Sequence, residues 1–372
     1  MTPIRPLERD DLPAVARLYE LVIRSGTEQP PAGLAGYFEQ TVLDQPFADP
    51  ELPSLVYDDP RLGVVGFIAS YPRRFALGER TVRLACSGQL VAHPEVRSRG
   101  VGALLMRAYM NGPQALTLTD GATDEVRAMW ERLGGVTNAI ASLSWTRVIG
   151  PAGYAAGIAR KRRGRDGNPA GQAPAAGVWS AVDELVGRPL RPAAPAARSQ
   201  PLSADALLEL LERLKRSFPL RPAYDAAALT WLFRQMERVT ARGELVRRLV
   251  RAADDRPLGW YVAYVPAGGV AQALQVVAGR GDVGPVLDAL VHDAGARGAV
   301  AVSGRVDPWL YPELVERRCI FRRAAWALLH SGDDELLAAV GFGRGLLTRM
   351  DGEWWMGPHV LDAGALEQAA AG

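Results

Sequence analysis

The stretch Leu90-Val91-Ala92-His93-Pro94-Glu95-Val96-Arg97-Ser98-Arg99-Gly100-Val101-Gly102-Ala103-Leu104-Leu105-Met106 decides how the chain reads. It runs from an apolar strand through a sharp loop into a helix start. The first backbone N–H groups of such a helix have no intrahelical acceptor, and the positive end of the helix dipole lies behind them. That is an anion site suited to phosphate. Gly100 and Gly102 carry no Cβ, so the backbone bends tightly and a diphosphate can approach it, while Arg97 and Arg99 add charge and forked donors. Two commoner phosphate loops do not fit. A P-loop needs a Lys after its second glycine, and a Rossmann turn needs a small residue three after Gly102, where the chain has Leu105.

Outward from this loop, the chain alternates short strands and helices. Ile4 to Leu7 predicts a strand, and Asp10-Asp11-Leu12-Pro13 opens a helix with acidic caps and Pro in its first turn. A second helical patch covers Leu34 to Leu43. Strands around Leu55–Tyr57, Leu62–Ala69 and Thr81–Val91 are separated by turns at Asp58-Asp59-Pro60 and Leu77-Gly78-Glu79, which makes an antiparallel meander. After the Gly100 helix come a strand at Ala115–Asp120, a helix at Thr123–Leu133 and a closing strand around Ala139–Val148.

The segment Arg97-Ser98-Arg99-Gly100-Val101-Gly102, preceded by Val91-Ala92-His93-Pro94, resembles the Arg/Gln-x-x-Gly-x-Gly/Ala signature of the GNAT acyltransferase superfamily. The order of elements over residues 3 to 148 follows that fold. The resemblance implies an α/β protein with a mixed sheet and an acyl-CoA, acetyl-CoA or another, as co-substrate. Arg97, Ser98, Arg99, Gly100, Val101, Gly102 and Ala103 would hold the diphosphate, and Leu90, Val91 and Ala92 would pair with the pantetheine arm. Thr123 to Gly134 resembles the family's second signature, whose Tyr commonly protonates the leaving thiolate. Here Trp130 stands in that place. An indole N–H donates a hydrogen bond but does not transfer its proton at a usable pKa. Asp120 is the one carboxylate near the strand ends placed to act as a base, or equally to cap the following helix. Tyr71, Arg73 and Cys86, with Trp130, are the expected pocket residues, though Cys86 reads more readily as a packed thiol.

The second half repeats the first. Pro6-Leu7-Glu8-Arg9-Asp10 matches Pro201-Leu202-Ser203-Ala204-Asp205, and Tyr37-Phe38 matches Leu232-Phe233. Asp58–Gly63 returns as Asp254–Gly259, and Gln89–Ala92 as Gln275–Ala278. Shared order with drifting offsets predicts two GNAT-like domains in tandem. The expected division is 1–149 for the acyl-CoA domain, 150–199 for an Ala/Gly/Pro/Arg-rich linker and 200–372 for a degenerate copy. Opposite the first loop, the copy has only Gly279-Arg280-Gly281-Asp282-Val283-Gly284, with Asp282 placing negative charge where phosphate would sit. In the linker, a short helix is expected at Val178–Val186. The basic run Arg160–Arg165 reads as a solvated linker face, or as a contact for the CoA 3′-phosphate or RNA.

A net charge of +2 gives no general attraction to nucleic acid. Two cysteines and four scattered histidines predict neither a disulfide framework nor a metal site. No apolar run reaches the ~18 residues that cross a bilayer, and the start lacks a signal-peptide core, so a cytoplasmic protein, monomer or homodimer, without membrane or nucleic-acid partner is expected. The implied activity is direct acyl transfer to a small acceptor, an amine such as an amino sugar or amino acid. The alternative is an inactive acyl-CoA-binding or scaffold protein.

Overall fold

The computed structural model describes residues 3–165 and 195–357, and the chain divides into two units. Unit 1 comprises Met1–Ser142, Leu211–Ala241 and Ala325–Gly372, and unit 2 comprises Leu143–Leu210 and Arg242–Ala324. The first half contributes β1 (Ile4–Pro6), α1 (Leu12–Tyr19), α2 (Leu34–Phe38), β2 (Leu55–Asp59), β3 (Gly63–Leu77), β4 (Arg80–Ala92), α3 (Val101–Met110), β5 (Leu116–Ala122), α4 (Asp124–Arg132), β6 (Val136–Thr137) and β7 (Leu143–Val148). Next come α5 (Pro151–Arg165), β8 (Arg198–Pro201), α6 (Ala204–Arg213), β9 (Leu220–Pro222) and α7 (Ala226–Glu237). The remainder is β10 (Glu244–Arg251), β11 (Pro257–Val265), β12 (Val270–Ala278), α8 (Val283–Ala296), β13 (Ala301–Arg305), α9 (Tyr311–Glu316), β14 (Ile320–Arg323), β15 (Trp326–His330) and α10 (Asp334–Gly341). Among the described residues no helix is long and apolar enough to cross a membrane.

The sheet of unit 1 runs β1-β2-β3-β4-β5-β15-β6, with β9 also on β3, and β4–β5 is its parallel pair. The sheet of unit 2 runs β8-β10-β11-β12-β13-β7-β14, and there β12–β13 is the parallel pair. Strand for strand the two paths coincide. Three of the four repeated segments seen in the sequence fall on equivalent places, β1 with β8, the β2–β3 turn with the β10–β11 turn, and the end of β4 with the end of β12, whereas Leu232-Phe233 lies on α7, in unit 1 like its match Tyr37-Phe38. Both sheets are mixed and both units carry helices, so the α/β class is as expected.

The closing strand of the first half was expected in the first sheet, yet β7 pairs with β13 and β14 in unit 2, and β15 takes the place beside β5 in unit 1. Local pattern marks a segment as a strand but does not name its partner. Where two halves share one strand order, the last strand of either can complete either sheet. A boundary at 149 and a continuous second domain from 200 therefore do not describe the units. Residues 151–165 are helical rather than linker-like, and the segment 178–186 lies outside the described residues.

In unit 1, α3 sits on the sheet through Val101, Leu105 and Tyr109, one turn apart, which join Tyr57, Val65, Ile68 and Ala85 in one core. Met106 and Met110, on the adjoining stripe, pack with Ala122, Trp130 and Leu328 in a second. Burying side chains of this size contributes roughly 1.5–3 kcal/mol each. The helix lies so close to β3 that a Cβ on Gly66 would stand 2.7 Å from Val101 Cγ1. This packing fixes where the start of α3 points.

Candidate active site

Strands β4 and β5 pair at Leu84–Leu116, Ala85–Thr117 and Cys86–Leu118, and then part. Each is held on its outer side: β4 by β3 as far as Gly66–Ala92, and β5 by β15 as far as Trp326–Ala122. The β3–β4 register shifts by a residue between Phe67 and Ala69, and opposite it Gln89 adopts a left-handed φ of 46°. A bulge sharpens the local twist of a strand and swings it from its neighbour. The consequence is a V-shaped gap between the end of β4, with Leu90, Val91 and Ala92, and the end of β5.

At the open end of the gap, a 3₁₀ turn from Pro94 to Arg99 leads through Gly100 at φ 70° into α3. His93 Nδ1 accepts the Glu95 N–H at 3.3 Å, which steadies the entry to that turn. Leu104 is the first residue of the helix to bond back, to Gly100 O at 3.0 Å, so the amides of Val101, Gly102 and Ala103 form the unpaired first turn. A Cβ placed on Gly100 or on Gly102 would meet nothing within 4 Å, which leaves room for a bulky anion over these amides. Arg97 and Ser98 are exposed beside them. Arg99 turns elsewhere: it donates to Asp59 Oδ2 at 2.6 Å and lies over the Tyr57 ring. It ties the loop to β2.

The gap itself holds a carboxyl group that the sequence reading did not single out. Glu353, in the segment after α10, accepts hydrogen bonds from the Thr119 hydroxyl and from the backbone N–H groups of Gln89 on β4 and Gly121 on β5. Burial pushes its pKa up to about 8, and the nearby Asp120 carboxylate adds to the rise, while these hydrogen bonds pull the other way. Two glycines make the space: a Cβ on Gly121 would lie 3.1 Å from Glu353 Oε1, and one on Gly88 would overlap the carboxylate. Asp120, the expected base, has a different job. Its Oδ1 accepts the backbone N–H of Glu353 at 2.9 Å and of Trp354 at 3.1 Å, so it holds the turn that delivers Glu353. Nor does Asp120 cap α4, since Thr123 does so by accepting the Val126 N–H.

The remaining expected pocket residues divide. Tyr71 is buried on β3 opposite Cys86 and donates to the Gln89 side chain at the bulge. Cys86 is fully buried at the last β4–β5 pair, and desolvation holds its thiol well above the ordinary range, so it is a packed, protonated thiol. Arg73 is buried on the same strand and face as Tyr71, with its guanidinium 4.7 Å above the Phe47 ring. Trp130 does not reach the gap: its Nε1–H donates to Leu329 O at 2.9 Å inside the core between α3 and β15.

The equivalent places of unit 2 are differently furnished. Beyond the last β12–β13 pair, Ala273–Gly304, the Trp309 indole donates to Val276 O at 3.1 Å. The end of β12 is thereby bonded to a side chain where β4 is bonded to Glu353. Asp282, at the start of α8, is paired with Arg256 at 2.8 Å, so an anion at that helix start would face a carboxylate.

No protein-family model matches this sequence, and no curated protein does. Solved structures do. A GCN5-related N-acetyltransferase from Anabaena variabilis ATCC 29413 superposes with a TM-score of 0.55 at 12% identity, over 89% of this chain and 73% of the other. A conserved Enterococcus faecalis V583 protein, described as a probable N-acyltransferase, gives 0.53 at 10% identity, over 88% and 71%. A GCN5-related N-acetyltransferase from Kribbella flavida gives 0.51 at 18% identity, over 87% and 71%. At such identities the likeness speaks for the fold alone. With the parted parallel strands and the glycine-led helix start in front of them, the chain has the fold of the GNAT superfamily.

Proposed function

We propose that this protein transfers a short acyl group from an acyl-CoA, acetyl-CoA first among them, to the amine of a small acceptor, at the β4–β5 gap of unit 1. The observation that carries the reading is the coincidence of three features in one place. Strand edges part there, the unpaired amides of Val101–Ala103 lie at the open end, and an ionisable carboxyl sits in the gap. The diphosphate rests on the helix start with Arg97 beside it, and the pantetheine arm pairs with the free edge of Leu90–Ala92. The second half, built on the same strand order, serves as structure rather than as a second acyl-CoA site.

In this reading the acceptor nitrogen attacks the thioester carbonyl carbon directly. The Gln89 N–H, aimed into the gap, polarises that carbonyl once Glu353 releases it. Glu353 takes the proton that the attacking amine loses. As the C–S bond breaks, the protonated carboxyl returns a proton to the departing thiolate. A carboxyl near 8 is balanced for both transfers, and such general acid–base assistance contributes typically 10²–10⁴-fold. This assigns the carboxyl the role that Trp130 leaves vacant.

One observation favours a second reading, a passive acyl-CoA binder: Glu353 already holds the Gln89 N–H that the thioester would use. Thiol release from acetyl-CoA, followed with a thiol-reactive chromophore across a panel of amines, separates the two. Sustained, acceptor-dependent release over many turnovers supports the enzyme, and release no faster than the amine alone sinks it.

A further inference from the structure

Arg73 is about 1% exposed, and among the described residues no carboxylate lies within ion-pair distance of it. Its Nη1 donates to Pro72 O at 2.8 Å and to Gln45 Oε1 at 3.3 Å. The other edge is different. Nε has no hydrogen-bond partner, and Nη2 meets only the Met356 thioether sulfur, at 3.4 Å. Nε–H and Nη2–H together form the side-on fork with which arginine grips a carboxylate through two parallel hydrogen bonds. A thioether is a weak acceptor for such a fork. A buried charge without a counter-charge is costly, and a buried N–H left unpaired adds to that cost. Burial accordingly pulls this guanidinium below its ordinary range. Asp351, the carboxylate whose field reaches it, is committed to Tyr224 and to Thr348.

The position of the fork relates it to the gap. Arg73 lies two residues along β3 from Tyr71, about 7 Å, and Tyr71 pairs with Cys86 at the point where β4 and β5 part. Met356 lies one turn after Glu353, with its N–H bonded to Glu353 O at 2.9 Å. One turn thus sets a proton-accepting carboxyl in the gap and a displaceable sulfur on the fork. Phe47 covers the guanidinium, and Trp231 packs on Phe47 with ring centroids 6.2 Å apart. Trp231 also lines a cleft of ≈ 540 Å³ with Asp44, Pro46, Thr230 and Arg234.

We propose that the Nε–Nη2 edge of Arg73 is a carboxylate-binding subsite, and that the acceptor is an amino acid whose carboxylate displaces the Met356 sulfur while its amine faces Glu353. The role as acceptor rests on the acyl-transfer reading, whereas the carboxylate subsite stands without it. The test uses the full chain and reads binding, not turnover. Each of the standard amino acids and its carboxamide is titrated calorimetrically into the protein, with and without coenzyme A, and coenzyme A is titrated separately. At least one amino acid binds tenfold or more tightly than its own carboxamide, Arg73→Gln abolishes that difference, and Met356→Ala strengthens binding of the acid. If every acid and amide bind alike to the wild type, or if a folded Arg73→Gln protein keeps the preference, the proposal fails. Should Arg73→Gln not fold, the wild-type comparison and Met356→Ala decide it. A preference for acids without any coenzyme A binding would leave the subsite standing and overturn the acyl-transfer reading instead.

Discussion

Replacing Glu353 by Gln removes a titration that the fold makes unfavourable, and the size of the effect follows from the burial of that carboxyl. In the folded protein Glu353 stays protonated up to about pH 8, while in the unfolded chain it releases its proton near 4.5. Between those values the folded state binds one proton more than the unfolded state, so stability falls as pH rises through this window and levels above it. A full shift of that size corresponds to at most ~5 kcal/mol, at 1.36 kcal/mol per pH unit. The residue as a whole keeps some contact with solvent although its carboxyl is enclosed, and its surroundings relax, so a difference of roughly 1–3 kcal/mol between pH 5 and pH 8.5 is expected. The Gln side chain does not titrate, and the variant lacks that share of the decline. Urea denaturation of both proteins at intervals from pH 5 to 9 measures it, because the groups remote from Glu353 cancel in the comparison. Superimposable pH dependences would refute the assignment of a buried, protonated carboxyl to the gap.

Other substitutions probe the same geometry. Gly88→Ala drives a methyl into the Glu353 carboxylate and to 3.0 Å from the Tyr71 ring, so a loss of about 1–3 kcal/mol in stability is expected together with loss of acyl transfer. Trp130→Phe removes the indole's hydrogen bond to the Leu329 carbonyl, which keeps its ladder partner Val136, so a loss of about 0.5–1.5 kcal/mol in a denaturation experiment is expected, with acetyl-CoA affinity unchanged. Arg97→Ala weakens acetyl-CoA binding more than Arg99→Ala does, and direct titration compares them, because Arg99 is engaged with Asp59 whereas Arg97 is exposed beside the nest.

What was legible in the sequence was what short stretches encode. The strand end, the 3₁₀ turn and the glycine-led helix start lie within Leu90–Met106, and their spacing alone places the unpaired amides. Matching turns and strand ends pointed to a second set of strands like the first, and the two sheets do run in one strand order. What was not legible depends on distant parts of the chain. The strand Leu143–Val148 has ordinary strand character, and only its partners reveal that it completes the sheet of unit 2. Glu353 meets Asp120 across 233 residues of sequence and belongs to no motif. The one signal was a carboxylate set in the run Gly352-Glu353-Trp354-Trp355-Met356, where apolar neighbours announce burial. Trp130 misled for a related reason: its place in a signature helix suggested the pocket, yet the carbonyl of Leu329, far along the chain, claims its indole.

The claim on which the account turns is that the start of α3 receives the diphosphate of an acyl-CoA. Gly102→Asp tests it most directly, since a side chain there meets open space and the fold is undisturbed, while its carboxylate enters the nest much as Asp282 stands at the start of α8. Calorimetric titration of acetyl-CoA into the wild type should give saturable binding, and into Gly102→Asp none. Equal affinity in the two proteins would contradict the account.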